Sequence, residues 1–169
     1  MDYKNKKVLF IDLDGTLIKT ISGKTFPEDI SDFRVQLPVL DKIVKMLPRL
    51  KYFFIVTNQG GIGKFITKND FKNKIYTIHS FCSIYLNNRL SILNNDYEYC
   101  DAIDKDNPKR KPNVGMLEKL CYDYRIQNKS EFIMIGDASG KPGDFSDSDK
   151  RCAENFGIDY VDVRDFLES

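Results

Sequence analysis

The predicted fold depends on one stretch, Val8-Leu9-Phe10-Ile11-Asp12-Leu13-Asp14-Gly15-Thr16. Its first four residues are all apolar, which is typical of a strand buried on both faces of a parallel sheet. Two carboxylates follow on alternate residues, so both side chains point to the same side of the strand end. Although D-x-D alone is common in loops, D-x-D-G-T directly after a buried strand is far more specific. The stretch therefore predicts a buried strand that ends in a pair of acidic groups.

The rest of the chain alternates between apolar runs and helical periodicity. Further strands are predicted at residues 52–56, 97–103, 132–135 and 160–163. Helices are predicted at residues 38–47, 68–90, 114–124 and 147–156. Asn113 is the predicted cap of the third helix, and Ser146 is that of the fourth, which Gly157 should end. Residues 15–37 show no clear period and are predicted as a long loop or a small hairpin. Strands that alternate with helices indicate an α/β fold, here a Rossmann-like parallel sheet with helices on both faces.

Length and composition are those of an ordinary globular protein. The 169 residues are 41% hydrophobic and 30% charged, and they are predicted to form a single domain, residues 1–169. No apolar run reaches the roughly 18 residues that a membrane-spanning helix needs, so no membrane partner is expected. The four cysteines are widely spaced, which disfavours a disulfide framework and a structural zinc site. An intracellular protein, in the cytoplasm or the nucleus, is expected.

Charge is distributed unevenly along the chain. The total of 26 basic and 25 acidic residues gives a net charge of +1. Residues 1–112 contain 19 basic and 13 acidic side chains, whereas residues 113–169 contain 7 basic and 12 acidic ones. Such asymmetry is typical of a protein with a polyanionic partner, but chance scatter of surface charge explains it equally well.

Polar residues follow the second predicted strand at the sheet edge where active sites of such folds lie. The segment is Thr57-Asn58-Gln59-Gly60-Gly61-Ile62-Gly63. A hydroxyl group and backbone N–H groups freed by glycines can hold phosphoryl oxygens, although a flexible loop capped by Thr57 accounts for the same residues. The segment is not a P-loop, because Phe65 follows Gly63-Lys64 where Ser or Thr is required.

The third and fourth strands are followed by Lys111-Pro112 and by Asp137. Lys111 can supply a fixed positive charge to a phosphoryl group, although residues 109–111 taken alone are simply a solvated basic run. Asp137 is placed to complete a hard-cation site with Asp12, because Mg²⁺ takes one or two carboxylates together with waters and substrate oxygens. Asp147 is interpreted only as negative charge at a helix N-terminus. The four motifs in this order predict phosphoryl chemistry.

These motifs resemble those of the haloacid-dehalogenase (HAD) superfamily of phosphohydrolases, over about residues 7 to 166. The resemblance is closer still to the phosphatase domain of polynucleotide kinase 3′-phosphatase and to stand-alone DNA 3′-phosphatases. This narrower match rests on residues 57–63, 111–116, 136–149 and 153–158. Its most specific part is the pattern G-D-A-x-G…D-F-S-x-x-D in residues 136–149, which general members of the superfamily lack.

The resemblance implies a catalytic role for four side chains. Asp12 would be the nucleophile that becomes an aspartyl-phosphate. Asp14 would be the general acid that protonates the leaving oxygen and then the base that activates water. Thr57 would hydrogen-bond the phosphoryl group, and Lys111 would neutralise its charge.

The resemblance also implies a metal site and a set of substrate contacts. Mg²⁺ would be held by the Asp12 carboxylate, the Asp14 backbone carbonyl and Asp137. The expected substrate-binding residues are Thr57, Asn58, Gln59 and Lys111. Asp149 is expected to support Lys111 or the outer shell of the metal.

Two absences shape the expected substrate. No segment is long enough for a separate cap domain, and an uncapped site suits a large substrate such as a nucleic-acid end. No P-loop is present, so 5′-kinase activity is not expected. The resemblance thus implies Mg²⁺-dependent removal of 3′-phosphate from DNA ends in repair, with DNA as the partner and no obligate protein partner. Candidate contacts to the DNA backbone are Lys64, Lys105, Lys109 and Arg110.

Other functions and substrates stay open at this point. One is an uncapped small-molecule phosphatase that resembles histidinol-phosphate or heptose-bisphosphate phosphatases. Those relatives usually have a zinc-binding Cys/His cluster before the K-P motif, whereas this chain has only Cys100 there. Another is a binding module without catalysis, which the intact set of acidic and basic residues disfavours. The sequence does not decide between DNA and RNA, or between single and double strands.

Overall fold

The structure, a computed structural model, describes residues 3–24, 27 and 29–169. The strands in these residues are β1 (Val8–Ile11), β2 (Ile18–Lys19), β3 (Arg34–Val35), β4 (Tyr52–Asn58), β5 (Asn94–Cys100), β6 (Phe132–Gly136) and β7 (Asp159–Asp162). Five of them form a parallel sheet in the order β5-β4-β1-β6-β7. Because β1 is the central strand, Asp12 lies at the middle of the carboxyl edge of the sheet. The predicted Rossmann-like parallel sheet is confirmed.

Helices cover both faces of this sheet. They are α1 (Leu37–Met46), α2 (Lys68–Leu90), α3 (Gly115–Asp123), α4 (Ser148–Phe156) and α5 (Val163–Glu168). Alternate residues of β1 point to opposite faces, so Leu9 and Ile11 pack with α1, α2 and α5, whereas Val8 and Phe10 pack with α3 and α4. Burial on both faces explains the unbroken apolar run of β1. In the described part of the chain, no helix is long and apolar enough to cross a membrane.

The segment between β1 and α1 forms a small antiparallel hairpin from β2 and β3, one of the two structures predicted for it. Residues 25, 26 and 28 of this segment lie outside the described residues. The Gln36 amide donates hydrogen bonds to the backbone carbonyls of Gly15 and Thr16, at 3.3 and 2.6 Å. These bonds fix the end of the hairpin to the turn after β1. Among the described residues, no separate cap domain covers the carboxyl edge of the sheet.

Several strand boundaries differ from the prediction. Strand β4 continues to Asn58, two residues beyond its predicted end. Strand β5 begins at Asn94 and ends at Cys100, three residues earlier than predicted at each end. It is an edge strand and most of it is half-buried, so its polar first residues give no apolar signal. Strand β7 ends at Asp162, because Val163 begins helix α5. The Asp162 carboxylate caps this unpredicted helix by accepting a hydrogen bond from the Arg164 backbone N–H at 2.8 Å.

Helix α3 begins differently from the prediction. Asn113 does not cap the helix, whose N-cap is Val114 without a side-chain hydrogen bond. The Asn113 amide instead donates to the backbone carbonyls of Lys105 and Asn107, both at 2.9 Å. Its side chain therefore folds the loop after β5, which shapes the segment before Lys111.

Helix α4 is also capped by a different residue. The N-cap is Asp147, and Ser146 lies one residue before it. The Ser146 hydroxyl accepts a hydrogen bond from the Ser148 backbone N–H at 3.3 Å. Gly157 ends the helix in the left-handed conformation with a φ of 75°, as predicted.

Candidate active site

The centre of the site is a buried contact between Asp12 and Lys111. The Lys111 ammonium lies 2.5 Å from Asp12 Oδ1 and 2.7 Å from Asp149 Oδ1. It also donates to the backbone carbonyl of Val56 at 3.0 Å. Both Asp12 and Lys111 are buried, with exposed fractions of 7% and 3%. These three contacts match the three N–H donors of an ammonium, so the position of Lys111 is fixed.

Asn58 holds the backbone of Lys111. Its amide oxygen accepts from the Lys111 N–H at 2.9 Å, and its amide nitrogen donates to the Lys111 carbonyl at 3.0 Å. The following Lys111–Pro112 peptide bond is cis. Asn58 was predicted to bind substrate, but in the structure both polar atoms of its side chain form hydrogen bonds with the backbone of Lys111. Its observed role is to fix the segment that positions the ammonium.

Three carboxylates meet beside this lysine. Ligand atoms of Asp12, Asp137 and Asp149 all lie within 4.8 Å of one another. Two glycines permit this close approach. A Cβ atom at Gly15 would lie 1.9 Å from Asp137 Oδ2, and one at Gly136 would lie 2.3 Å from Asp149 Oδ2. The glycines after β1 and at the end of β6 therefore provide the space that the carboxylates occupy.

The electrostatics of this cluster suit a bound cation. Burial raises the pKa of Asp12 well above its ordinary value, and Asp149 and Asp137 add to this effect, against the opposing charge of Lys111. Burial and the charge of Asp149 raise the pKa of Asp137 to about 6. Burial would lower the pKa of Lys111, but Asp12 and Asp149 outweigh it and raise that pKa. One lysine does not balance three carboxylates, and a hard divalent cation would supply the missing charge.

Asp14 is held separately from the three clustered carboxylates. Its side chain is half-buried, and Asp14 Oδ2 accepts a hydrogen bond from the Gln59 amide at 2.5 Å. The same amide lies 2.9 Å from the Thr57 hydroxyl. Gln59 therefore links the two residues that are predicted to protonate the leaving group and to bind the phosphoryl oxygens. This arrangement keeps the Asp14 carboxylate within the site but outside the carboxylate cluster.

The structure brings Asp12, Lys111, Asp137 and Asp149 together in one site. Asp149, which sequence reasoning placed near Lys111 or the metal, contacts Lys111 directly and is part of the carboxylate cluster. Asp149 Oδ2 also accepts from the Ala138 N–H at 3.2 Å, which ties the start of α4 to the loop after β6. The Asp14 carboxylate is not part of this cluster, and the metal contact through the Asp14 backbone carbonyl stays a prediction.

The four candidate DNA contacts divide into two pairs. Arg110 donates to the Ala102 carbonyl at 2.7 Å, and Lys109 pairs with Glu98 at 3.1 Å, so both hold the loop before Lys111. Lys64 and Lys105 are exposed. Phe65, next to Lys64, has an exposed fraction of 90%. The loop after β4 therefore presents a cation and an aromatic ring to solvent.

Sequence reasoning missed Lys74 on helix α2. This lysine lies between Phe71 and Ile78 on the buried side of the helix and has an exposed fraction of only 8%. The charges that act on it include that of Asp14. Lys74 comes three residues after Phe71, where the helical period normally places an apolar residue. This spacing is the signal that could have identified it.

Comparison with known proteins shows a match to one protein family. The family described as polynucleotide kinase 3 phosphatase matches residues 7–166. The chain is 32% identical over 167 residues to the bifunctional polynucleotide phosphatase/kinase of Schizosaccharomyces pombe, covering 97% of this chain and 38% of that protein. It is 29% identical over 174 residues to an uncharacterised 20.8 kDa protein of Autographa californica nuclear polyhedrosis virus, covering 98% of this chain and 87% of the viral protein.

A second group of relatives acts in small-molecule metabolism. The histidine biosynthesis bifunctional protein HisB of Legionella pneumophila is 29% identical over 168 residues, covering 94% of this chain and 41% of HisB. The chain thus spans less than half of either bifunctional relative.

Solved structures share the fold at low sequence identity. A HAD-like phosphatase from Mesorhizobium loti superposes with a TM-score of 0.65 at 19% identity, covering 92% of this chain and 70% of that one. The D,D-heptose 1,7-bisphosphate phosphatase from B. bronchiseptica, complexed with magnesium and phosphate, gives a TM-score of 0.62 at 16% identity and 96% coverage of both chains. The protein has the fold of a HAD-type phosphatase, and the match over residues 7–166 shows that it belongs to the polynucleotide kinase 3 phosphatase family.

Proposed function

We propose that this chain is a Mg²⁺-dependent phosphatase that removes the 3′-phosphate from DNA ends during repair, through an aspartyl-phosphate on Asp12. The observation that carries this proposal is the open carboxyl edge of the sheet. Among the described residues, the insertion between β1 and α1 is only the small hairpin of β2 and β3, and no cap domain stands over the carboxyl edge, which suits a polymer end as substrate. The family match and the fission-yeast relative support a polynucleotide substrate.

The first step transfers the phosphoryl group to the protein. A carboxylate oxygen of Asp12 attacks phosphorus, and the bond between phosphorus and the 3′ oxygen breaks. Asp14 gives its proton to the departing oxygen, which leaves as the 3′ hydroxyl group of the DNA. Gln59 orients Asp14 for this transfer, because its amide is bonded to the Asp14 carboxylate. Lys111 offsets the charge of the phosphoryl oxygens.

The second step releases the phosphate. Asp14, now ionised, takes a proton from a water molecule that attacks phosphorus, and the bond between phosphorus and Asp12 breaks. Inorganic phosphate leaves and the Asp12 carboxylate is restored. Mg²⁺ would be held by the carboxylates of Asp12 and Asp137 and by the Asp14 carbonyl, and it supplies positive charge that lowers the repulsion between carboxylate and phosphate.

A small-molecule phosphatase is the second candidate function, because HisB and the heptose-bisphosphate phosphatase are among the similar proteins. The region before Lys111 offers no support for it. The Cys100 thiol lies 3.7 Å from Asn107 Oδ1, and the described residues contain no Cys/His cluster that could hold a metal. The expected zinc site of such relatives is therefore not found in the described part of the chain.

A substrate panel tests the proposal. The panel contains one oligonucleotide with a 3′-phosphate, the same oligonucleotide with a 5′-phosphate, histidinol phosphate and a heptose bisphosphate, each with MgCl₂. DNA and RNA versions in single-stranded and duplex form show which polymer is preferred. We expect the highest kcat/KM with a 3′-phosphorylated oligonucleotide, and no turnover by the Asp12→Asn variant. Faster turnover of either small phosphate would favour the second candidate.

Surface charge gives an independent test of the polymer substrate. Lys64 is exposed in the loop after β4, so neutralising it should weaken contact with the DNA backbone without affecting the fold. We expect Lys64→Ala to raise KM for the 3′-phosphorylated oligonucleotide about twofold to tenfold at low salt. The matched control is Lys150→Ala, which changes an exposed lysine on helix α4. Equal KM values for both variants and the wild type would remove Lys64 from the DNA surface.

A further inference from the structure

Lys74 is a buried cation that has no carboxylate partner among the described residues. Its side chain lies on the buried side of α2 with an exposed fraction of 8%. The ammonium lies 4.9 Å from the centre of the Phe33 ring, which gives a cation–π contact. In the described residues no carboxylate forms an ion pair with it, and no hydrogen bond from it is found. A buried ammonium in this condition is costly, so a functional reason for keeping it is needed.

The acidic groups around Lys74 are engaged elsewhere. Burial lowers the pKa of Lys74, and the charges that oppose this are those of Asp14, Asp32 and Asp29, in that order. Asp32 accepts hydrogen bonds from the backbone and hydroxyl of Ser22, and Asp29 accepts from Ser31. Asp14 accepts from Gln59. The carboxylates therefore lie close enough to attract Lys74 but satisfy other donors.

The position of Lys74 relates it to the leaving-group side of the proposed reaction. Lys74 contacts the ring of Phe33, which immediately precedes strand β3 of the hairpin. Strand β3 pairs with Ile18 of strand β2, and Ile18 forms a β-bridge with Asp14. Lys74 therefore packs against the hairpin that contacts the proposed general acid. Because Asp14 protonates the leaving oxygen, groups beside Asp14 face the leaving group rather than the transferred phosphoryl group. In a nucleic-acid end the leaving group is a nucleoside, and its next anion is the phosphodiester on its 5′ side.

We propose that Lys74 binds the phosphodiester on the 5′ side of the terminal nucleoside, and thereby makes the site select a polynucleotide end over an isolated phosphomonoester. This inference rests on the proposed 3′-phosphatase function. The phosphodiester supplies the anionic partner that the buried ammonium lacks. A lysine suits this contact, because it acts as a point charge and reads no base. The site therefore recognises the backbone and leaves the base sequence free.

A pair of dinucleotides isolates the charge of the phosphodiester. One is 3′-phosphorylated dithymidine with a natural linkage, and the other has a methylphosphonate linkage, which is similar in size but uncharged. The measured quantity is the ratio of kcat/KM between the two substrates within each protein. For the wild type we expect kcat/KM to be about ten times higher with the charged linkage. A tenfold preference corresponds to the net contribution of about one charge-assisted hydrogen bond.

Variants at Lys74 assign this preference to its side chain. We expect Lys74→Met to bring the ratio close to one, and Lys74→Arg to retain a clear preference. Lys72→Met is the matched control, since Lys72 is an exposed lysine two residues earlier on α2, and it should keep the wild-type ratio. Thermal unfolding should show Lys74→Met at least as stable as the wild type, because an uncompensated buried charge has been removed.

Four results would overturn the inference. A wild-type ratio of one would show that the phosphodiester charge is not read, and an unchanged ratio in Lys74→Met would show that another group reads it. A large loss of stability in Lys74→Met would contradict the absence of a partner for its charge. Turnover of para-nitrophenyl phosphate without turnover of either dinucleotide would overturn the 3′-phosphatase function itself, and the role of Lys74 with it.

Discussion

Asp12 is held under two opposing demands. The proposed attack on phosphorus requires an ionised Asp12, yet this residue is buried next to Asp137 and Asp149, and its pKa is raised well above its usual range. Lys111 meets part of this demand with a contact of 2.5 Å, and it is shared with Asp149. In the proposed mechanism, further positive charge in the cluster favours the ionised form of Asp12 that attacks phosphorus.

An amide at position 12 separates catalysis from stability. We expect Asp12→Asn to lower kcat with para-nitrophenyl phosphate by at least about 10³-fold, because the nucleophile is lost. A carboxyl group with a raised pKa destabilises the folded state when it is ionised at neutral pH, so this variant should unfold at or above the wild-type Tm without metal. Measurable turnover within tenfold of the wild type would remove Asp12 as the nucleophile.

His79 makes a prediction about acid stability. Burial lowers its pKa in the folded protein, while the charge of Asp96 and a hydrogen bond to the Asn95 backbone oppose this effect. Its buried Nε2 atom has no hydrogen-bond partner within the described ranges, and its ring packs against Tyr97 at 5.6 Å between centroids. Since the unfolded chain binds this proton more readily, stability falls as pH drops below about 6.5, the ordinary histidine pKa.

Replacing His79 should weaken this dependence. We expect His79→Gln to lose less unfolding free energy than the wild type between pH 7.5 and pH 5.5, measured by urea denaturation at both values. The same loss in both proteins would show that other groups account for the acid sensitivity.

At the scale of elements, the ends of strands determine where chemistry occurs. Strands β1, β4 and β6 are neighbours, so Asp12, Thr57 and Asp137 meet although they are far apart in sequence. Each lies just inside or after the carboxyl end of its strand. Lys111 comes from a loop that is instead fixed by side-chain contacts, chiefly those of Asn58.

The elements that sequence reasoning predicted well are those with a strong apolar signal. Strands β1, β4 and β6 and the long helix α2 have apolar residues at every buried position except Thr57 and Lys74. The edge strand β5 was predicted three residues late, because a half-buried strand that pairs with a neighbour on one side only tolerates polar residues. Helix α5 has only six residues, too few to show a helical period.

The site was predictable for residues in motifs and less so for residues that act through packing. Asp12, Asp137 and Lys111 follow predicted strands directly. The contact between Asp149 and Lys111 depends on how α4 packs beneath Gly136, which no spacing in the sequence reveals. Lys74 was missed because it looks like one more polar residue of a lysine-rich helix.

The end of strand β6 gives a prediction at this scale. A methyl group at Gly136 would overlap the Asp149 carboxylate at 2.3 Å, so Asp149 must move away from Lys111. We expect Gly136→Ala to cost about 1–3 kcal/mol in unfolding free energy, as overpacking does, and to lower kcat about tenfold or more. The control is Gly61→Ala, where an added Cβ meets only Phe65 at an ordinary 3.5 Å. Wild-type stability and activity in Gly136→Ala would contradict this contact.

At the scale of the whole molecule, the acidic cluster couples metal binding to folding. Its three carboxylates come from the loops after β1 and β6 and from helix α4, so they form a site only in the folded chain. A ligand that binds only the folded state stabilises it, by about 2.7 kcal/mol at a concentration of 100 times Kd.

Metal addition and removal should therefore shift the thermal transition. We expect MgCl₂ to raise Tm of the wild type and EDTA to reverse the shift, because the cation relieves repulsion among the carboxylates. Asp137→Asn should show a much smaller shift, since one oxygen ligand has lost its charge. An equal shift in both proteins would place the cation elsewhere.

The central position of β1 has a consequence for how activity appears during folding. Val8 pairs with Tyr52 on one side and with Phe132 on the other, so β1 is completed only after most of the chain has been brought together. Closing loops of this length is slow compared with forming local helices. Phosphatase activity during refolding should therefore return only when the sheet around β1 has assembled, so the recovery of turnover reports the completion of the sheet.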